Sequence, residues 1–218
     1  AGGVVEGAFY EVGVLCALEE AVEGLDLNRL DAYVGVSAGA LIVASLANGI
    51  TPRGLSRAIV GESEEPELNL QPDILFRPAY ARQARRLARL PTVLAGSILN
   101  YLRAPAKNSV LGALSGLGEA IPLSLLDNTP FETYLARAFT TGGRSNDFRD
   151  LTTNLRIVAV NLDTAELIAF GDWPTAHVPI SKAVQASAAL PILFPPVEID
   201  GEYYIDGVAR RTLNASQA

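Results

Sequence analysis

Gly35-Val36-Ser37-Ala38-Gly39 is the stretch best suited to nucleophilic chemistry. Glycines on both sides permit a turn tight enough to expose the serine oxygen, and a helix that follows directs its N-terminus at developing negative charge. The same five residues would also make an ordinary tight strand–helix junction, so the case for chemistry depends on what else the chain supplies. A serine hydroxyl needs a base before it can attack an ester carbonyl. The sole histidine is His177, in the proline-flanked Trp173-Pro174-Thr175-Ala176-His177-Val178-Pro179, where capping or packing also explains it. A triad through His177 would run Ser37, His177, Asp206, which is not the Ser–Asp–His order of α/β-hydrolases, although unrelated folds use other orders. Asp206 offers a direct Ser–Asp pair. It follows an apolar strand and precedes Gly207, so its carboxylate emerges at a strand end, the usual edge for a site in an open α/β sheet. In a partly dry pocket its pKa would rise toward that of a working base. An Asp-Gly dipeptide by itself reads as a turn.

The elements that must position these residues follow from pattern. Ala32 to Val36 is a short apolar run and predicts a buried strand; Ala38 to Asn48 predicts a helix stopped by Gly49. Ala1 to Gly7 reads as a glycine-rich loop whose N–H groups suit an anion, leading into a helix from Ala8 to about Glu20 with Val12, Leu15, Cys16 and Leu18 inward. Neither a Walker spacing nor a full dinucleotide fingerprint is present. Thr51-Pro52 starts a helix ending near Gly61, and Glu62 to Glu67 reads as an acidic, solvated linker. Asn128-Thr129-Pro130 opens a helix from Phe131 to Phe139. Strands are expected at Leu155 to Val160, Leu167 to Phe170, Val197 to Ile199 and Tyr203 to Ile205, with a helix at Ser181 to Ala189. Alternating strands and helices imply a three-layer α/β domain around a mainly parallel sheet.

Composition bounds the rest. The chain has 218 residues, 49% of them hydrophobic and 19% charged, which suits one globular domain. A net charge of −7 argues against nucleic acid as a partner. One cysteine, Cys16, excludes an internal disulfide and fits a reducing compartment as a buried structural thiol; with one histidine beside it, no zinc-ligand spacing exists. No signal peptide is visible. The uncharged run Ala32 to Pro52 is about as long as a membrane span, but its small residues and strand-like start favour buried strand plus buried helix. The chain holds no methionine, its first glycines arrive without a leading strand, and its end lacks a closing element, so we expect more sequence at both ends. Residues 77–107 carry seven of the 17 basic residues and no acid. Arg82, Arg85, Arg86 and Arg89 share a helical face, and after Pro91 an apolar stripe follows at Leu94, Ile98, Tyr101 and Leu102. Such a pair suits either an interfacial or lid element or a helix packed on the core with a solvated arginine face. Ser109 to Pro122 reads as a glycine-containing connector.

Five stretches, in order, resemble the patatin-like phospholipase family: Gly2-Gly3-Val4-Val5-Glu6-Gly7, the Gly35–Gly39 elbow, Leu155 to Thr164, Ala183 to Pro191 with Phe194-Pro195-Pro196, and Asp206-Gly207-Val208. The resemblance implies a three-layer patatin-like fold over residues 1–218, with 62–128 as a helical insertion or lid. It implies a Ser37–Asp206 dyad, with Gly2, Gly3 and Val4 as oxyanion hole and Gly35 and Gly39 framing the elbow. The reaction it implies is metal-free, cofactor-free hydrolysis of lipid acyl esters through an acyl-enzyme, of phospholipase A or lysophospholipase type. A cytoplasmic protein touching membranes peripherally through 77–107 is the corresponding expectation. Glu6 stands where the family carries Lys or Arg, which weakens the field around a phosphate headgroup. Val4 and Val208 replace family glycines. A soluble carboxylesterase or thioesterase without a membrane role, and a catalytically silent lipid-binding domain, are the competing readings.

Overall fold

The computed structural model describes residues 4–79 and 124–210. Gly2 and Gly3, the basic face Arg82–Arg89, the Leu94–Leu102 stripe and the Ser109–Pro122 connector lie outside these residues.

The helix α1 spans Val4–Ala21, so it begins four residues before the expected Ala8. A glycine inside a helix costs only about 1 kcal/mol relative to alanine, and Glu6 in the first turn sits favourably at the positive end of the helix dipole. Only Val12 of its expected inward residues is buried; Leu15 and Cys16 are half-buried and Leu18 is exposed. Burial raises the Cys16 thiol pKa, with help from Glu19, so the thiol is not activated. Strand β1 (Ala32–Val36) and helix α2 (Ala38–Ala47) divide the long uncharged run as expected. No helix among the described residues is long and apolar enough to cross a membrane.

Helix α3 (Pro52–Ile59) is capped by Thr51, whose hydroxyl accepts from the Gly54 N–H at 3.1 Å. The acidic stretch after it is not simply solvated. Arg144, its side chain 7% exposed, donates from Nη2 to Glu65 Oε2 at 2.8 Å and from Nε to the Ala138 carbonyl at 2.6 Å. The Arg144 hydrogen bond lowers the Glu65 pKa. A short helix α4 (Pro72–Leu75) precedes α5 (Thr129–Ala138), and Ala138 is the last residue of α5. The remaining elements are β2 (Asn154–Asn161), β3 (Leu167–Phe170), α6 (Ile180–Ser187), β4 (Val197–Ile199) and β5 (Glu202–Asp206).

This α/β molecule is built on β2. The strand is buried from Ile157 through Asn161 and is apolar on both faces, as a central strand should be. The sheet is mixed: β1 pairs with β2 in parallel, while the β2–β3, β2–β5 and β4–β5 pairs are antiparallel. β3 runs along one edge of β2, opposite Ile157 to Val160. The other edge is shared end to end. β1 occupies it up to the pair Val36–Val158, and β5 takes over at the pair Asp206–Ala159. Helices α2 and α6 pack on the sheet and on each other, with α1 and α3 against α2 and α5 against α6.

Candidate active site

That shared edge determines where two side chains meet. β1 arrives from one direction and ends at Val36; β5 arrives from the other and ends at Asp206, one β2 residue further on. Ser37, the residue after β1, and Asp206 are therefore delivered to the same point by strand register. Ser37 Oγ donates to Asp206 Oδ2 at 2.7 Å, within the short range of hydroxyl–carboxylate bonds. Ser37 is 7% exposed and Asp206 1%.

The turn at Ser37 is the tight junction its sequence suggested. Its backbone has φ 55° and ψ −124°, a conformation that L-residues adopt only where the surroundings impose it. Gly35 makes the turn possible: a Cβ there would lie 2.6 Å from the Gly39 carbonyl oxygen and 2.7 Å from Ala40 Cα. Gly207 has the matching role beyond Asp206, where a Cβ would lie 2.6 Å from Val36 Cγ2 and 2.8 Å from the Val158 carbonyl oxygen. Two glycines let the strand ends close on each other.

Ser187, a residue the sequence alone did not single out, holds the junction. The Ser37 N–H donates to Ser187 Oγ at 2.9 Å, and the Ser187 hydroxyl donates to the Val158 carbonyl at 2.6 Å. Ser187 is wholly buried at the end of α6, so it ties that helix, β2 and the elbow together. Its signal in the sequence was faint: Gln185 and Ser187 are the polar residues in an otherwise apolar Ala183–Leu190 run.

Asp206 is fixed on its other side. Its Oδ1 accepts from the Val208 N–H at 2.9 Å, and its own N–H donates to the Ala189 carbonyl at 3.0 Å. Burial pushes the carboxyl above the ordinary aspartate range, while the hydrogen bonds from Ser37 and Val208 pull in the opposite direction. His177 is elsewhere engaged. Its Nδ1 lies 2.9 Å from the Pro174 carbonyl and its Nε2 2.8 Å from Asp200 Oδ2, on the exposed surface. The residue bonded to Ser37 Oγ is the carboxylate, not the imidazole.

Both groups open on a cavity of about 320 Å³. Among the described residues its lining is apolar apart from Ser37, Asp206 and Asn128, with Leu41, Phe131, Leu190 and Phe194 as large contributors. Phe9 and Phe76 also line it and are about half exposed, so apolar surface continues to the mouth. Ala8 and Phe9 bring the early turns of α1 to this wall. Val4 is the first residue of that helix, where N–H groups have no partner within the helix.

The chain is 25% identical over 202 residues to protein R571 of Acanthamoeba polyphaga mimivirus, covering 92% of this chain and 55% of that protein. The crystal structure of VipD from Legionella pneumophila aligns with a TM-score of 0.48 and 23% identity, covering 94% of this chain and 44% of VipD. The chain thus spans about half the length of each. A family model described as patatin-like phospholipase matches residues 1–218, end to end. The chain belongs to the patatin-like phospholipase family.

Proposed function

We propose that this chain is a serine lipid acyl hydrolase, of phospholipase A or lysophospholipase type, working through a Ser37–Asp206 dyad. The observation that carries the reading is the 2.7 Å hydrogen bond from Ser37 Oγ to a buried Asp206 carboxylate at the wall of an apolar cavity. Membership of the family supports acyl-ester hydrolysis in general. The strained elbow supports a nucleophile, because strain of about 1–3 kcal/mol at one residue persists only where the surroundings impose it.

In this mechanism an acyl chain lies along the apolar lining with its ester carbonyl at Ser37. Asp206 Oδ2 takes the hydroxyl proton as Ser37 Oγ bonds to the carbonyl carbon. The carbonyl oxygen becomes an oxyanion, held by N–H groups of Gly2, Gly3 and Val4; one such donor is typically worth about 3 kcal/mol. Collapse of the tetrahedral adduct breaks the ester C–O bond, and the alcohol leaves with the proton from Asp206. Water then gives a proton to Asp206 and attacks the acyl-Ser37 carbonyl, and the fatty acid departs as Ser37 recovers its proton. Desolvation of Asp206 makes it a stronger base for the two proton abstractions, from Ser37 and from water.

The reading also assigns residues 77–107 to contact with an anionic lipid surface, on the strength of their seven basic residues without an acid. Vesicle binding that persists after Arg82, Arg85, Arg86 and Arg89 are neutralised would remove that assignment while leaving the chemistry intact.

A fluorophosphonate probe tests the chemistry. Labelling of the full chain should map to the peptide carrying Ser37, and Asp206→Asn should suppress it. A folded protein whose Ser37 stays unlabelled would favour the silent lipid-binding reading instead.

A further inference from the structure

Three short stretches of chain meet at the cavity mouth and are joined by main-chain hydrogen bonds. The Asp127 N–H donates to the Arg77 carbonyl at 2.8 Å and the Ala79 N–H to the Leu125 carbonyl at 3.1 Å. On the other side, the Leu125 N–H donates to the Ile192 carbonyl at 3.1 Å and the Leu126 N–H to the Leu193 carbonyl at 2.8 Å. Among the described residues the cavity lining takes Leu126 but not Leu125, and Leu190, Leu193 and Phe194 but not Ile192. Leu125 and Ile192 are instead 57% and 74% exposed. A rim with one dry face and one wet face ordinarily places polar residues outside. Here the two outer residues are large and apolar.

Ile192 is also poorly suited to its backbone. Its φ of 75° lies in the left-handed region, where a β-branched side chain is a true outlier. It stands in a turn closed by the Phe194 N–H, which donates to the Leu190 carbonyl at 2.9 Å. Glycine would form the same turn without strain, so the turn does not account for isoleucine. Core packing does not account for it either, because the side chain is mostly in solvent. What the isoleucine supplies is an apolar tip turned outward beside the mouth.

We infer that Ile192 and Leu125 are the tips of an apolar collar, completed by Phe9 and Phe76, that enters the acyl layer of a lipid surface. The inference rests on the lipid-hydrolase reading above and identifies the surface from which that site draws its substrate. Continuity argues for this occupant: half-exposed Phe9 and Phe76 belong both to the collar and to the cavity lining. An acyl chain leaving the lipid layer thus passes from one apolar environment to another instead of crossing water. The contact is made by uncharged side chains, unlike the arginine contact assigned to residues 77–107. It therefore needs no anionic lipid and withstands salt.

The test uses phosphatidylcholine vesicles, which carry no net charge, at high salt. The wild-type chain should bind them. Ile192→Asn combined with Leu125→Gln keeps the main-chain bonds, and asparagine tolerates the left-handed turn. This variant should bind at least about tenfold more weakly, since one aliphatic side chain held in hydrocarbon is worth about that factor. Its kcat/KM on a short monomeric ester in solution should be unchanged. Wild-type chain that ignores the vesicles, or a variant that binds them equally, overturns the inference; so does an equal loss on the monomeric ester, which would make both residues structural. Vesicle binding without cleavage of any ester would overturn the hydrolase reading alone. A solvatochromic dye on Ile192→Cys, with the only native cysteine removed by Cys16→Ser, reads the contact directly. Its emission should shift to the blue on the vesicles and be quenched by spin labels on the acyl chains. Blue emission before vesicles are added would mean a collar already covered, by a second copy if dilution reverses it and by another part of the chain if not. Either result overturns the inference.

Discussion

Asp206 is nearly inaccessible to solvent yet carries an ionisable group whose charged form burial disfavours. Its pKa is raised on folding, so this group favours the fold below its unfolded value, and that contribution is lost as pH rises through the folded value. On the proposed mechanism activity has the opposite dependence, because Asp206 must be unprotonated to act as its base. The acid limb of kcat/KM should therefore lie above the ordinary aspartate range of about 4; a limb at or below it would mean that another group is titrating. Asp206→Asn keeps the shape and an acceptor for the Val208 N–H while removing the buried charge. It should abolish turnover, with a thermal midpoint at neutral pH no lower than that of the wild type. Ser37 and Asp206 were legible from sequence because each sits in a local glycine motif tied to a strand end. Ser187 was not, since its partners Val158 and Ser37 are brought to it by packing between elements far apart in the chain.

Elements, rather than side chains alone, set the distance between Ser37 Oγ and the Asp206 carboxylate. Because β1 and β5 abut on one edge of β2, any change that lengthens that junction separates Ser37 from Asp206. Gly35→Ala should shift the elbow against the Gly39 carbonyl, at a cost of about 1–3 kcal/mol for an overpacked site, and should suppress probe labelling even in the molecules that fold. Ser187→Ala leaves the Ser37 N–H and the Val158 carbonyl to find other partners. It should destabilise by about 1–3 kcal/mol, measured by denaturant titration, and lower kcat more than it raises KM. Most strands were readable because their runs are apolar and bounded by turn residues; β1, β3 and β4 coincide with the expected spans. The start of α1 was not, since Gly7 signals a loop locally while the helix continues through it. The acidic linker was misjudged for a similar reason: Arg144, almost 80 residues away in sequence, binds Glu65 and the end of α5.

At the scale of the whole molecule, an apolar cavity opens beside a buried charge, and the two have different consequences for substrate choice. Each methylene of an acyl chain placed along Leu41, Phe131 and Leu190 contributes up to about 0.8 kcal/mol of burial. Leu41→Trp, which fills part of that volume, should lower kcat/KM for long-chain esters at least tenfold relative to short-chain ones; equal losses on both would place the chain elsewhere. The α/β class was visible in the alternation of elements, but the cavity was not, because its walls come from α1, α2, α5 and the loops after α6. The most direct test of the account is to quench the full chain during turnover of a long-chain ester and map covalent mass by peptide. We predict one added acyl group on the peptide carrying Ser37, accumulating when hydrolysis is slowed and absent in Ser37→Ala. Ester turnover that continues in Ser37→Ala, with no acyl group on that peptide in the wild type, would contradict it.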